Sequence, residues 1–257
     1  MVSPKVRTIV SLESNIVCGI HSAKSFLSTQ PEKVRRILIA ENYHGAKLHE
    51  IVTLAKQHHI QTKSVPRSYL DRLAAKVAHQ GVVLEVQAFR AHSETDLEDK
   101  LEHWKCPLIL ALDSIQDPRN LGACLRSAEG AGVDAVIVGK NRSAPLTGVV
   151  HKTSAGALDS IFLVEVSNLV RCLSNLKESG CWIVGASDRS DTHYTAVNYR
   201  DPTVLVVGGE AKGLRRLTEE ICDQIVSIPM YGIVPSLNVA VASGIILFEA
   251  KRQRLVC

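Results

Sequence analysis

Hydrophobic and polar positions in the first 90 residues alternate in short blocks that predict a small α/β/α unit. Leu48, Ile51, Val52 and Ala55 recur at helical spacing, so Ala46–Gln57 is predicted to form an amphipathic helix. The remaining blocks predict helices at 22–27 and 67–76, and strands at Val34–Ala40, 60–65 and 82–89.

From residue 107 onward, strongly apolar runs alternate with helical stretches. Strands are predicted at Leu108–Asp113, 135–138, 161–166, Trp182–Ala186, Thr203–Gly208 and 225–228. Helices are predicted at 121–131, 218–223 and 239–254. Apolar strands separated by helices are typical of a parallel sheet that is covered on both faces. The predicted fold class is therefore α/β, with a C-terminal parallel-sheet domain and a smaller N-terminal unit.

The stretch between these two patterns is polar and acidic. Residues 91–105 hold two basic and five acidic side chains, and a helical turn or more is expected within 96–103. We therefore expect an N-terminal domain at 1–90, a linker at 91–105 and a second domain at 106–257.

The formal net charge of +4 is unevenly distributed. Residues 1–90 carry 13 Lys and Arg against 6 Asp and Glu, whereas residues 106–257 carry 15 of each sign. A basic module joined to a neutral one is typical of a polyanion-binding unit attached to a catalytic unit. A solvated basic surface explains the same counts, and charge alone leaves both interpretations open.

Seven cysteines are scattered singly, and no two form a Cys-x-x-Cys pair. Zinc-ligand spacing is therefore absent and no metal is expected, while the odd count argues against a disulfide framework. No apolar run approaches the roughly 18 residues of a membrane-spanning helix. We expect a cytoplasmic protein with reduced thiols.

The first segment with candidate chemistry is DPRNLGACLRSA at 117–128, which follows a predicted strand and opens a predicted helix. Ligands of α/β proteins bind at such junctions. Asn120 and Arg126 are its polar candidates. A helix N-cap for Asn120 and an ordinary helical position for Arg126 are the structural alternatives.

The second segment is VVGGEAKGL at 206–214, where an apolar strand ends in paired glycines before Glu210. Paired glycines allow a backbone to approach a ligand closely. Neither a Walker-type phosphate loop nor a dinucleotide fingerprint is present. A plain turn at Gly208 and a helix-start carboxylate at Glu210 are the alternatives.

The third segment is IPMYGIVPSLNVAVA at 228–242. A strand is predicted to end near Ile228, and a small-residue helix follows that Ser236 or Asn238 could cap. A capped core helix does not explain the long apolar loop that precedes it. That loop suits an adenine ring.

Together, the three segments resemble the motifs of the SpoU (TrmH-type) RNA ribose methyltransferases in the SPOUT superfamily. The matching patterns are DPxNLGAxxRSA, GxExxGL and IPM followed by SLNVAVA, and the resemblance covers about 107–254. It implies a trefoil-knotted parallel-sheet domain, S-adenosyl-L-methionine as cofactor and a homodimer. It also implies 2′-O-methylation of a ribose in RNA, expected to be a guanosine of 23S ribosomal RNA.

The resemblance carries residue roles onto the matching positions. The implied catalytic residues are Asn120, Arg126, Glu210 and Asn238. The implied cofactor-binding residues are Gly208, Ile228, Met230 and Leu237. Because a guanidinium group keeps its proton in proteins, Arg126 is a poor base. We expect Arg126 to hold the target phosphate and to stabilise a developing alkoxide.

The N-terminal part adds CGIH at 18–21 and HQGV at 79–82, which resemble the small ribosomal-protein-like RNA-binding domain of ribosomal-RNA members. Candidate phosphate contacts in this part are Lys24, Lys33, Arg35, Arg36 and Lys47. Four alternatives stay open: a transfer-RNA 2′-O-methyltransferase, an rRNA-methylating antibiotic-resistance enzyme, a non-catalytic RNA-binding assembly factor and a generic nucleotide-binding α/β protein.

Overall fold

The computed structural model describes residues 16–41, 43, 46–74, 78–87, 91–146, 148–210 and 213–255. The chain divides into two compact units, Met1–Phe89 and Arg90–Cys257. Within the described ranges, every helix is too short or too polar to cross a membrane.

In its described residues, the first unit contains a four-stranded sheet and three α-helices. The strands are β1 (Ile16–Cys18), β2 (Val34–Ala40), β3 (Gln61–Val65) and β4 (Val82–Val86), and their order is β1-β4-β2-β3. The helices are α1 (Ile20–Thr29), α2 (Ala46–Gln57) and α3 (Arg67–Ala74). The predicted β2 and α2 are confirmed, and the predicted ends of α3 and β4, at 75–76 and 88–89, lie outside the described residues.

The CGIH and HQGV segments meet at one corner of the first unit. Gln80 Oε1 accepts a hydrogen bond from the Ile20 N–H at the start of α1, at 3.3 Å. Nδ1 of the buried His79 accepts from the Gly81 N–H at 3.1 Å, so the proton of the neutral ring lies on Nε2. His79 Nε2 lies 2.9 Å from Asp71 Oδ1. These motif residues therefore hold the corner of the fold together.

The second unit contains a six-stranded sheet in the order β10-β8-β9-β5-β6-β7, and all its strand pairs are parallel. The strands are β5 (Leu108–Asp113), β6 (Ala135–Gly139), β7 (Leu163–Val166), β8 (Trp182–Ala186), β9 (Thr203–Gly208) and β10 (Gln224–Val226). Because all strands are parallel, their carboxyl ends share one edge of the sheet, called here the carboxyl edge.

Helices cover this sheet, as its apolar strands require. They are α4 (Glu94–Leu101), α5 (Pro118–Ala131), α6 (Gly148–Ser154), α7 (Ala157–Ser160), α8 (Leu169–Glu178), α9 (Arg216–Ile221) and α10 (Val239–Leu255). The predicted parallel α/β sheet is confirmed, and each predicted strand starts within two residues of the observed one. The sequence interpretation did not identify α6, α7 or α8.

The segment 91–105, expected to be a linker, lies in the second unit. Ser93 and Asp96 form a reciprocal capping box at the start of α4. Leu97 of this helix is 2% exposed and joins the core of the parallel-sheet unit. The composition indicated a linker because Leu97 is the one buried residue of α4, and most of the other residues in this helix are acidic.

Helix α5 begins three residues earlier than predicted, because Asp117 is its N-cap. The Asp117 carboxylate accepts a hydrogen bond from the Arg119 N–H at 2.7 Å, and Pro118 occupies the first helical position. The N-cap alternative for Asn120 is therefore wrong. Asn120 lies within the first turn, and its side chain is available for other contacts.

Candidate functional site

A pocket of about 570 Å³ opens at the carboxyl edge of the parallel sheet. Its walls come from the segments that follow β8, β9 and β10. The lining includes all four residues implied to bind cofactor, namely Gly208, Ile228, Met230 and Leu237, together with Glu210. The second and third sequence segments therefore converge on one cavity, although 13 residues lie between them in the chain.

The wall at the end of β9 depends on a glycine. A Cβ added at Gly208 would lie 2.0 Å from the carbonyl carbon of Gly213 and 2.3 Å from the Leu214 nitrogen. Only a residue without a side chain lets the turn close this tightly on its own strand. Gly208 is thus a close-approach position, a role beyond the plain turn considered as its alternative.

An ion pair between the buried Asp113 and the partly exposed Arg215 anchors this turn to the neighbouring strand. Asp113, fully buried at the end of β5, accepts hydrogen bonds from the Arg215 backbone N–H at 3.0 Å and from Arg215 Nε at 2.5 Å. The Asp113 carbonyl also accepts from the Gly209 N–H at 2.9 Å. Sequence reasoning missed this pair, although a carboxylate ending a fully apolar strand is itself a signal.

Three candidate catalytic residues form one hydrogen-bonded series at the rim of the pocket, called here the amide chain. Asn120 Nδ2 donates to Glu210 Oε1. Asn238 Nδ2 donates to Asn120 Oδ1 at 3.0 Å, and Asn238 Oδ1 accepts from the Ala240 N–H at 2.9 Å. The order of donors and acceptors is fixed at both ends, since a backbone N–H only donates and a carboxylate only accepts.

The amide chain settles two structural alternatives. Asn238 accepts from the first turn of α10, as a capping residue would, and also donates to Asn120. Glu210 lies in the turn after β9, whereas α9 begins at Arg216, so the helix-start interpretation of Glu210 is wrong.

The apolar part of the pocket comes mainly from the segment between β10 and α10. Ile228, Met230 and Leu237 line the cavity, while Tyr231 and Ile233 are 93% and 103% exposed. A flat apolar ring fits such a wall, because most of a small ligand's surface is buried in apolar contact.

The polar part of the pocket comes from the segment after β8. Ser187, Asp188 and Arg189 line the cavity there, and the sequence interpretation missed all three. The signal was available, since a polar run directly after an apolar strand lies at the carboxyl edge of a parallel sheet.

Arg126 does not line the pocket of its own chain. It is exposed on α5, four residues after Gly122, so the two residues share one helix face. A Cβ at Gly122 would contact Thr153 and Val150 of α6, which places this face on the α6 side. Cys124 instead faces α10, with its Sγ 3.8 Å from Ser243 Oγ.

The buried thiol of Cys124 on α5 is not an available nucleophile. Burial raises the pKa of Cys124 to about 12, so the thiolate form is scarce at neutral pH. The described residues also contain no group of three or more His, Cys, Asp or Glu side chains placed to hold a metal ion.

The candidate phosphate contacts of the first unit are only partly available. Lys24 pairs with Glu50 at 2.6 Å, and Arg36 pairs with Glu85 at 2.5 Å. Arg35 is exposed. The side chain of Lys47 lies outside the described residues.

An all-parallel sheet with a mixed apolar and polar pocket at its carboxyl edge defines a ligand-binding α/β protein. The chain belongs to the SpoU rRNA Methylase family, whose sequence model matches residues 107–248. Residues 16–91 match a second family, described as RNA 2′-O ribose methyltransferase substrate binding.

Similar proteins cover nearly the whole chain. The 23S rRNA (guanosine-2′-O-)-methyltransferase RlmB of Pseudomonas aeruginosa is 45% identical over 239 residues, which is 93% of this chain and 96% of that protein. RlmB of Escherichia coli is 41% identical over 241 residues, which is 94% of this chain and 99% of that protein.

Solved structures give the same assignment. The SpoU methyltransferase AviRb from Streptomyces viridochromogenes superposes with a TM-score of 0.69 at 25% identity, covering 95% of this chain and 90% of that one. AviRb in complex with its cofactor AdoMet superposes with a TM-score of 0.68 at 25% identity, covering 94% and 91%.

Proposed function

We propose that this chain transfers a methyl group from S-adenosylmethionine to the ribose 2′-hydroxyl of a guanosine in 23S ribosomal RNA. The observation that carries the proposal is the amide chain of Asn120, Glu210 and Asn238 at the rim of the pocket. The relatives named for this reaction match over more than nine tenths of the chain.

The pocket fits this cofactor in size and in the character of its walls. Its volume of about 570 Å³ lies within the range of small-molecule sites. Ile228, Met230 and Leu237 would hold the adenine, and the turn at Gly208 offers backbone groups to the polar part of the cofactor. When bound, the cofactor supplies an electrophilic methyl group on a sulfonium.

The residues of this chain position the nucleophile. A 2′-hydroxyl is a weak nucleophile until it loses its proton, so the reaction requires orientation and stabilisation of developing negative charge. Glu210 and Asn120 would orient the ribose, and Asn238 fixes Asn120 from the other side. Arg126 would hold the target phosphate and stabilise the developing alkoxide.

A homodimer is part of the proposal. Val241, Phe248 and Leu255 recur every seven residues along α10 and are 50%, 54% and 71% exposed. This spacing puts them in one apolar stripe, which a second copy would cover. Because Arg126 lies off the pocket of its own chain, we assign its contact with the target nucleotide to RNA bound across the two subunits.

Mixed dimers test whether Arg126 and the pocket residues of one active site come from different subunits. Arg126→Ala and Asn238→Ala variants, each inactive alone, should regain part of their activity after co-refolding if the two residues serve one reaction from different subunits. A mixture as inactive as its components would place both residues in a single protomer.

The remaining parts of the proposal concern topology, RNA binding and location. The segment 229–238 returns from β10, at the sheet edge, past β8 and β9 to reach Asn120 beyond β5. Such a return path supports the trefoil knot that the family resemblance implies. The first unit would bind the ribosomal RNA, and an enzyme acting on that RNA would work in the cytoplasm.

The direct test combines cofactor binding with product mapping. Purified protein is incubated with methyl-labelled cofactor and separate pools of transcribed 23S rRNA, 16S rRNA and transfer RNA, and modified nucleotides are located by mass spectrometry. One 2′-O-methylguanosine in 23S rRNA is expected. Label in transfer RNA alone would refute the substrate assignment, and no label in any pool would refute the activity.

Alanine variants of two glycines in the second unit, Gly208 in the pocket lining and Gly130 on α5, provide a test of the cofactor site and its control. Gly208→Ala should abolish the cofactor heat in calorimetry, because its Cβ collides with the Gly213 backbone. Gly130→Ala should leave that heat unchanged, since the nearest atom to its Cβ is Phe248 Cζ at 3.7 Å. Melting curves of both variants establish that they are folded.

A further inference from the structure

The arginines of the second unit are unevenly paired. Seven of its ten described arginines form an ion pair or a side-chain hydrogen bond, namely Arg171, Arg189, Arg200, Arg215, Arg216, Arg252 and Arg254. Within the described residues, the guanidinium groups of Arg119, Arg126 and Arg142 form neither, and all three side chains are exposed.

Two of these three arginines lie in adjoining segments at the carboxyl edge. Arg119 is in the first turn of α5, next to Asn120 of the amide chain, and Arg142 is in the loop after β6. The Ala144 N–H donates to the Ile115 carbonyl at 2.8 Å, which fastens the loop after β6 to the loop after β5.

Spacing and charge both favour an anionic partner along this edge. Neighbouring strands lie about 4.8 Å apart, so the loop after β6 starts roughly 10 Å from the end of β9 and its pocket. The acidic residue nearest in sequence, Asp117, already accepts from the Arg119 N–H. Neither guanidinium group forms an ion pair within the described residues, so both remain available to an anionic ligand.

Arg142 is also held in an unfavourable backbone conformation. Its φ of 67° lies in the left-handed region, where glycine and asparagine are the residues normally tolerated. Arg142 is exposed and forms no ion pair or side-chain hydrogen bond within the described residues, so it is a candidate for ligand contact, because strained residues cluster at ligand-binding sites.

We propose that Arg142, with Arg119, forms a phosphate-binding track that leads from the pocket rim along the carboxyl edge and holds the RNA strand beside the target nucleotide. This inference rests on the proposed function. The track belongs to the second unit itself, so it adds RNA contacts to those of the first unit. Planar guanidinium groups suit it, since they bind phosphate oxygens through paired hydrogen bonds.

The test uses Arg142→Asn in the full-length protein. Asparagine tolerates the left-handed backbone better than arginine, so the thermal midpoint should equal or exceed the wild-type value. Affinity for transcribed 23S rRNA should fall roughly five- to tenfold, and the slope of log K against log salt should shrink by about 0.7. Arg142→Lys keeps the charge and should retain most of the slope.

Lys105→Gln is the matched control, because Lys105 is exposed just before β5, at the opposite edge of the sheet. It should leave the salt slope unchanged. The track is refuted if Arg142→Asn binds RNA with wild-type affinity and slope, or if Lys105→Gln weakens binding equally. Failure of the proposed function is separate, because it would show as absent methyl transfer in the wild type, whereas the track is scored by RNA binding.

Discussion

Helix α5 contains two glycines whose replacement by alanine should change stability in opposite directions. A Cβ at Gly122 would lie 1.8 Å from Thr153 Oγ1, 2.8 Å from Thr153 Cβ and 2.9 Å from the Val150 carbonyl oxygen. A Cβ at Gly130 meets only Phe248 Cζ, at 3.7 Å. Both positions are helical, so replacing either glycine by alanine gives the same gain in helix propensity, which is about 1 kcal/mol at most.

The expected magnitudes follow from these contacts. Overpacking typically costs 1–3 kcal/mol, and three contacts below 3.0 Å, one of them to backbone, put Gly122→Ala at the upper end, about 3 kcal/mol. Subtracting the gain in helix propensity of about 1 kcal/mol leaves a net loss of about 2 kcal/mol in the free energy of unfolding. For a unit of this size that lowers the thermal midpoint by roughly 4–8 °C, whereas Gly130→Ala should raise it by about 2 °C.

Calorimetric melting of the full chain measures both shifts. The double variant Gly122→Ala with Thr153→Ala should recover part of the loss, because it removes the hydroxyl but keeps Thr153 Cβ and the Val150 carbonyl in place. Equal shifts for Gly122→Ala and Gly130→Ala, or no recovery in the double variant, would show that the close approach of α5 and α6 does not limit this position.

Three further predictions concern the second unit. Asn120→Asp removes the amide donor and places a carboxylate against Glu210, so single-turnover methyl transfer should fall roughly 100-fold, with calorimetric cofactor affinity changing less than tenfold; wild-type turnover would exclude the amide chain from the mechanism. Hydrogen bonds from Ser93 lower the pKa of Asp96, so the ionised cap stabilises α4 above the ordinary pKa of about 3.9 and this is lost as pH falls through the lower folded value. Melting curves of wild type and Asp96→Asn should therefore differ at pH 7, and the difference should shrink as the pH falls below the ordinary pKa, whereas a constant difference would contradict this. Cys124 should escape iodoacetamide at pH 8 until the protein is denatured, as followed by peptide mass spectrometry; native labelling would show that it is not buried as described.

Much of the site was predictable, because parallel strands end at one edge. Asn120 and Glu210 are 90 residues apart in the chain, yet β5 and β9 are neighbours and their carboxyl ends pair Asp113 with Gly208. Any polar residue just after β5 therefore lies near any residue just after β9. The convergence of the segments follows from that rule, whereas the fold class follows from the alternation of apolar strands with helices.

The parts that could not be predicted depend on which of two local options the tertiary structure selects. Asp117 and Asn120 both suit an N-cap, and only the observed start of α5 at Pro118 decides for Asp117. The segment 91–105 has a linker-like composition, and only the burial of Leu97 shows that it packs. A charge count does not show which side chains pair. Residues 106–257 carry 15 charges of each sign, yet Arg119 and Arg142 form no ion pair within the part of the chain that the structure describes.

The polarity of the amide chain links the cofactor pocket to the nucleophile side of the site. The Ala240 N–H at the start of α10 requires Asn238 to present its oxygen there, which leaves Nδ2 for Asn120. Asn120 must then offer its own Nδ2 to Glu210. Leu237, directly before Asn238, lines the pocket. We therefore expect a ligand that displaces Leu237 to shift Asn238 as well, and with it the hydrogen bonds that orient Asn120 and Glu210.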